Sequence, residues 1–563
     1  MRWQSLPLSD KSKVALLQEE VGVSSIVATL LVQRGMDTYD EVKDFFRPKW
    51  EDLHDPFLMQ DMDQAVDRIN TAIDRKEKIM VYGDYDVDGT TSVALMTSFL
   101  QSLTNQVTPY IPDRYKEGYG ISYQGIDHAA SLGISLIVAL DCGVKAIEKV
   151  TYAKEKGIDF IICDHHLPGE RLPAAVALLD PKRLDCSYPF DELCGCGIGF
   201  KLIQALVKNR SLDNAILYPY LDLVVTAIAA DIVPMVGENR TLSFFGLDQV
   251  RKNPRPGIKA FLGMLKKPVT ITDLVFKVAP RINAAGRMDH ALKAASLLMS
   301  NNLDEVQELA LQIEAFNANR RSTDEQITKE ALVQIEERNE SNFPATVVYH
   351  DKWHKGVVGI VASRIIETHY RPTVVLTRAK DTYVGSVRSV KGFNVYQALE
   401  ACKEHMIQFG GHKYAAGLTL HKNQLASFKQ AFETVVANTI LQEQKTPTAL
   451  YDLELPIDQI DAKLFRIIEQ MAPFGPKNMR PVFCSYNCID SGGSKLVGKD
   501  SSHLRLSIQT TQGPIIGIGF GLGHHIEAIS KGEPFDVLYT IDQNEWNGQV
   551  SLQLRVKDIR FSS

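Results

Sequence analysis

Between about residues 60 and 240, short unbroken apolar runs alternate with stretches of helical periodicity. The runs include IMVYG (79–83), LIVAL (136–140) and FIIC (160–163). Runs this short, with no polar alternation, suit strands buried on both faces. Their separation by helical stretches predicts a parallel, doubly wound α/β sheet. Ahead of them, residues 1–48 read as a short helical segment ending near Phe45, Phe46 and Pro48. The text after them, to about 300, is helical with Pro and Gly interruptions. Residues 303–340 contain neither Gly nor Pro and set Val306, Leu309, Ile313 and Phe316 at helical spacing. That predicts one long amphipathic helix acting as a strut between domains. A second α/β region follows to about 440. Beyond about 448 the period drops to two, as in Leu504/Leu506/Ile508 and Val550/Leu552/Leu554/Val556, with Asn547–Gly548 as a hairpin turn. A small β-barrel is the expectation there. The boundaries drawn from these changes are 1–48, 49–300, 301–342, 343–444 and 445–563.

Composition changes this picture little. The 563 residues are 45% hydrophobic and 23% charged, ordinary for a multidomain globular chain. A net charge of −6 excludes a general polyanion binder, so contact with nucleic acid must come from local basic patches or bound metal. Eight dispersed cysteines, no bilayer-length apolar run and no signal-like N-terminus lead to the expectation of a cytoplasmic protein with no membrane association. Cys194/Cys196 and Cys484/Cys488 have near-metal spacing but no second pair or nearby His, so free thiols are expected.

The chemistry lies where the apolar runs stop. VYGDYDVDG brings Asp84, Asp86 and Asp88 at every second position after the first run. The opening resembles a calcium loop, but the twelfth position from Asp84 is Leu95 rather than Glu, and a strand precedes it rather than a helix. LIVALDCG adds Asp141, and FIICDHH adds Asp164, His165 and His166. VVTAIAADIVP adds Asp231 after a fourth apolar stretch that reads equally as helix or strand. In open parallel sheets ligands bind beyond the carboxyl ends of the strands, so these residues are expected to converge. Unpaired carboxylates are costly to bury together, and a carboxylate–imidazole set without thiolate suits Mn²⁺ or Mg²⁺. Two such ions are expected. Asp164, beside the histidines, is suited to fixing an imidazole tautomer.

DYDVDG, LDCG, DHH and AIAADIVP, in this order, resemble the four signature motifs of the DHH phosphoesterase superfamily. The resemblance implies that Asp86, Asp88, Asp141, His165 and Asp231 are metal ligands, with Asp141 bridging two ions. It implies a phosphate-contacting or proton-transferring role for His166, and a ligand or outer-anion role for Asp84. Tyr82 stands where many relatives carry a His. The later motifs resemble the superfamily's branch of 5′→3′ exonucleases specific for single-stranded DNA. DRYKEGYG offers Arg114 and Lys116, and RINAAGR offers Arg281, Asn283 and Arg287. WHKGVVGIVASRI, SVRS and FGGHKYAAG offer His354, Ser386, Arg388, Gly410, Gly411 and His412 for substrate. PFGPKNMRPVF (473–483) resembles the entry to the terminal module, a barrel that resembles an OB-fold, where Lys495, Lys499, Arg505 and Arg555 are candidate DNA contacts. The implied function is metal-dependent hydrolysis of single-stranded DNA from a 5′ end, in DNA repair and recombination, alongside a helicase and a single-strand binding protein. Two alternatives are a phosphodiesterase for short oligonucleotides or cyclic dinucleotides, and an inactive single-strand-binding scaffold.

Overall fold

A computed structural model describes the chain except residues 8, 9, 266, 547, 562 and 563. The chain forms two compact units. One contains Asp55–Asp231 and Phe245–Pro447; the other contains Met1–His54, Ile232–Phe244 and Thr448–Ser563.

The first unit opens with the expected parallel sheet. Its five strands run in the order Val107–Tyr110, Ile79–Gly83, Leu136–Leu140, Asp159–Cys163 and Ala177–Leu179. Every pairing is parallel. Met80, Tyr82, Ile137, Ala139, Phe160 and Ile162 share a core with residues of the helices Tyr123–Ser131 and Ile147–Glu155. The helices Val87–Gln101 and Gly195–Asn209 also pack against the sheet. The strand order is 2-1-3-4-5, so the direction of winding reverses between Ile79–Gly83 and Leu136–Leu140, where a doubly wound sheet opens its ligand crevice.

The long helix spans Leu303–Glu337. Its buried face runs through Val306, Ile313, Asn317, Asp324, Ile327, Ala331 and Ile335, while Leu309 and Phe316 are only half-buried. Its second half is built into the following module, because Ile327, Ala331 and Ile335 pack with Val357, Val361, Ala362 and Ile365. That module has a mixed five-stranded sheet in which only Thr346–His350 and Thr373–Ala379 pair in parallel.

In the second unit the N-terminus is less helical than expected. Arg2–Ser5 is a strand, paired in parallel with Thr448–Tyr451. The helices after it lend Leu17, Val27, Leu30 and Leu31 to one core with Leu504, Leu506, Ile508 and Leu554 of a seven-stranded sheet. The alternation at 504–508 is borne out, but Val550 is exposed and Leu552 half-buried, because Gln549–Phe561 begins outside the core. Asn547 of the expected hairpin turn lies outside the described residues; Gly548 takes a left-handed φ of 76°. Among the described residues no single helix is long and apolar enough to cross a membrane.

Candidate metal centre

All the acidic motifs meet at the carboxyl edge of the parallel sheet. Asp88 sits in the first turn of Val87–Gln101, and both its oxygens accept backbone N–H groups from the start of Gly195–Asn209. Gly195 donates at 2.7 Å and Cys196 at 2.8 Å. Asp86 caps its own helix by accepting from Gly89 N–H at 3.0 Å. Asp141 follows its strand in a left-handed conformation, φ 59°, which turns its carboxylate toward the same place. A Cβ at position 195 would lie 2.5 Å from the Asp141 Cβ, so only glycine fits between these groups. Asp231 is the last residue of a helix, Leu221–Asp231, which settles the ambiguity of its segment.

The side chains converge on His165. Its Nε2 lies 3.1 Å from Asp141 Oδ1, 3.7 Å from Asp231 Oδ2 and 3.9 Å from Asp88 Oδ2. Two groups of donors lie close enough to hold an ion: Asp141 with His165 and His166, and Asp88 with His165 and Asp231. His165 belongs to both. Burial, then the charge of Asp86, pushes the Asp88 carboxyl up to about 7. Burial and Asp88 push Asp231 up to about 8 and Asp141 well above the carboxylate range. Burial and Asp86 also raise Asp84 to about 8, and its Oδ2 has no hydrogen-bond partner while Oδ1 accepts a long 3.3 Å bond from Gly120. Burial and the neighbouring His166 lower His165 to about 4, so its imidazole is neutral and free to act as a ligand. An anionic oxygen set around a neutral imidazole, with an orphaned carboxylate oxygen behind it, fits hard divalent cations.

Asp164 is built differently. Oδ2 accepts from Val144 N–H at 2.8 Å, while Oδ1 accepts from the N–H groups of His165 and His166 and lies 2.7 Å from His166 Nδ1. Although burial opposes it, the His166 contact and these donors hold Asp164 below the usual carboxylate range. A fixed anion at Nδ1 places the Nδ1 proton on that side and leaves His166 Nε2 facing outward. Tyr82 is not part of the cluster. Its buried hydroxyl donates to Gly120 O and accepts from Ser122 N–H, tying down the 113–122 loop.

Arg287, Arg388 and Arg114 gather with a residue the motifs did not suggest, Arg320 of the long helix. Burial, then the charges of Arg114, Arg320 and Arg388, lower Arg287 to about 10. Arg287 donates to Gly356 O at 2.9 Å, and Arg388 donates to Ser386 Oγ at 2.9 Å. The last two pack beside Gly359, where a Cβ would meet Arg388 at 2.9 Å and Ser386 at 3.0 Å. His354 accepts from Gly356 N–H and lies edge-on to Tyr115. Arg114 lies 4.1 Å over the Tyr85 ring. Arg281 does not join this group, because its guanidinium is spent on Glu314 of the long helix and on Lys277 O. Asn283 is half-buried on the same helix, and Lys116 is exposed, its N–H donating to Asp113. Gly410, Gly411 and His412 lie on an exposed hairpin, with Gly411 at φ 143° against Ala416.

Three other groups at the edge escaped the motif reading. Asp180 closes a further apolar run, AVALL, and is wholly buried with Oδ2 unpartnered. The rule that found Asp141 would have found it. Lys182, two residues on, is close enough to act on both His165 and Asp231. Tyr119, inside DRYKEGYG, lies 3.2 Å from His166 Nε2.

In the second unit, Lys495 pairs with Arg505, Arg505 with Ile518 and Ile518 with Arg555, so the three cations form one row across a single sheet face. Exposed Phe520 lies beside Arg555, 5.8 Å from its guanidinium. Lys499 lies in the loop beyond Lys495–Val497, off the row. The eight cysteines are all free, as expected.

Residues 78–228 match the DHH family, N-terminal domain, residues 342–438 the DHHA1 domain, and residues 451–558 the RecJ OB domain. The chain is 36% identical over 567 residues to the single-stranded-DNA-specific exonuclease RecJ of Bacillus subtilis, covering 100% of this chain and 71% of that relative. The chain belongs to the RecJ family. A crystal structure of RecJ in complex with Mn²⁺ from Thermus thermophilus superposes with a TM-score of 0.85 at 25% identity, covering 100% of this chain and 80% of that one. RecJ from the same organism in complex with Mg²⁺ gives 0.79 at 24% identity, covering 100% and 79%, and shares the fold. The mixed α/β architecture, with DHH, DHHA1 and OB parts, is thus that of RecJ throughout.

Proposed function

We propose that this chain is a metal-dependent exonuclease that hydrolyses single-stranded DNA from the 5′ end, using Mn²⁺ or Mg²⁺. The observation that carries this is the convergence of Asp88, Asp141 and Asp231 on His165 at the switch point of the sheet. Asp86, Asp88, Asp141, His165 and Asp231 would hold two divalent cations, with Asp84 as an anion behind them. Such ions supply hydroxide at neutral pH and neutralise the charge that develops on the displaced oxygen. The chain's own part is orientation. Backbone N–H groups at Gly195 and Cys196 fix Asp88, and Asp164 fixes the tautomer of His166. His166 then presents Nε2 to the scissile phosphate. Arg287, Arg388, Arg320 and Arg114 are suited to bind DNA phosphates, with Ser386 and the start of Val358–Thr368 adding donors. His354 and the hairpin of Gly410, Gly411 and His412 complete the substrate side, and Arg281 acts by holding helix to helix. We assign the protein to the cytoplasm and to DNA repair and recombination beside a helicase and a single-strand binding protein.

Strands labelled at either end test the polarity. With Mn²⁺, a 5′ label should be released as mononucleotide while a 3′ label remains on shortening strands. Retention of the 5′ label with loss beginning at the 3′ end would reject the reading.

The row of Lys495, Arg505 and Arg555 beside Phe520 has the make-up of a single-strand platform: cations for the backbone and an aromatic face for bases. Changing Arg505 and Arg555 together to Glu should weaken binding of a long single strand. It should also reduce the slope of log affinity against log salt by about 0.7 for each phosphate no longer neutralised. Binding measured across a salt series, with a scrambled strand as control, reads both. An unchanged slope would remove this face from the DNA path.

A further inference from the structure

The atom of His166 that must face DNA already has a partner in the free protein. Tyr119 brings its hydroxyl to 3.2 Å from His166 Nε2, and the two rings meet edge to face with centroids 6.1 Å apart. The imidazole needs no second hold, since Asp164 grips Nδ1 at 2.7 Å. The tyrosine is unusual for a buried site in being 54% exposed. It stands between Gly118 and Gly120, both left-handed at φ 89° and 74°. Gly120 is anchored through Tyr82 and Asp84, whereas a Cβ at Gly118 would meet nothing within 4 Å. The ring therefore has a fixed end and a free end. Its other face leans on Tyr85, which carries Arg114 on its ring.

We propose that Tyr119 is a positioning residue that caps His166 Nε2 in the free enzyme and is displaced from it by a phosphate oxygen of single-stranded DNA. Although burial opposes it, the Asp164 contact raises His166, and with Nδ1–H held by Asp164 its Nε2–H donates to the phenol oxygen. When the strand enters, a phosphate oxygen accepts that N–H in the phenol's place, and the exposed phenol is released to solvent. The aromatic ladder from Tyr119 to Tyr85 and Arg114 couples this exchange to capture of the strand by the arginine. The inference rests on His166 being the phosphate-facing histidine of the proposed function.

Tyr119→Phe keeps the ring and its packing and removes only the competing hydroxyl. Reaction of metal-free, full-length protein with diethyl pyrocarbonate, followed by peptide mass spectrometry, reads the cap without any reference to catalysis. Carbethoxylation of His166 should rise about threefold or more in the variant while that of His165 stays unchanged, the scale of a single hydrogen bond removed. In turnover of a single strand with Mn²⁺, KM should fall about two- to tenfold with kcat within about twofold. Unchanged reactivity of His166 would overturn the cap. A raised KM, or a kcat reduced in step with kcat/KM, would overturn displacement by substrate. His166→Asn separates the two ideas: full activity in that variant removes His166 from the reaction, while the carbethoxylation result still reports on the Tyr119 contact.

Discussion

Asp141→Asn is expected to lower the turnover of single-stranded DNA by more than about 10³-fold, beyond the loss typical of one electrostatic donor. Its Oδ1 touches the His165 ring that both groups of close donors share. Asparagine has nearly the same shape and tolerates the left-handed backbone that Asp141 occupies at φ 59°, so the change removes charge rather than fold. Alanine would be a poorer probe, since it is less at home in that left-handed backbone. The same variant should leave the metal-free protein as stable as before or more stable. Burial and the charges of Asp88, Asp86 and Asp231 all oppose ionisation at this position, and Asn relieves that repulsion. Turnover and thermal unfolding in EDTA, measured side by side, give opposite directions for one substitution. Hydrolysis at the native rate would dissolve the proposed centre, and a large loss of stability in EDTA would make Asp141 structural.

How far the text could be read depended on whether a residue's neighbours in space are also neighbours in sequence. Strands buried on both faces advertise themselves, so IMVYG, LIVAL and FIIC were legible, and with them Asp88, Asp141 and His165. The edge of a parallel sheet then brings strand ends together without any further signal. Asp231 was legible as a carboxylate but not as helix or strand, because a helix buried through Leu221–Ala229 is mostly apolar and loses its period. Arg320 was silent: one of two adjacent arginines in a helix of many charges reads as solvated surface. It acquires meaning only beside Asp324, Arg287 and Arg388. Arg281 misled in the opposite sense, its motif being informative while its partner Glu314 lay in another element. The pairing of Arg2–Ser5 with Thr448–Tyr451 joins segments more than 400 residues apart, and no local pattern announces it.

Metal should stabilise this protein more at pH 8 than at pH 5.5, and metal-free protein should show the reverse trend. An ordinary carboxyl ionises near pH 4 in the unfolded chain. In the folded chain Asp88 is pushed up to about 7, Asp84 and Asp231 up to about 8, and Asp141 higher than ordinary, chiefly by burial and then by one another's charge. Between about pH 4 and 8 the folded state therefore binds more protons than the unfolded one. With that sign, stability falls as pH rises through the window, so the metal-free protein should melt at a lower temperature at pH 8. A divalent cation needs these groups ionised, and it binds the folded state alone, so its stabilisation grows over the same window. At a hundredfold excess over its Kd that contribution is about 2.7 kcal/mol for one site. Thermal unfolding at both pH values, with Mn²⁺ and with EDTA, provides the four measurements. The gap between Mn²⁺ and EDTA should be wide at pH 8, narrow at pH 5.5, and reduced at both in Asp88→Asn, whose carboxylate is gone. A gap of equal size at the two pH values would mean that these carboxylates are not the groups a cation replaces protons upon.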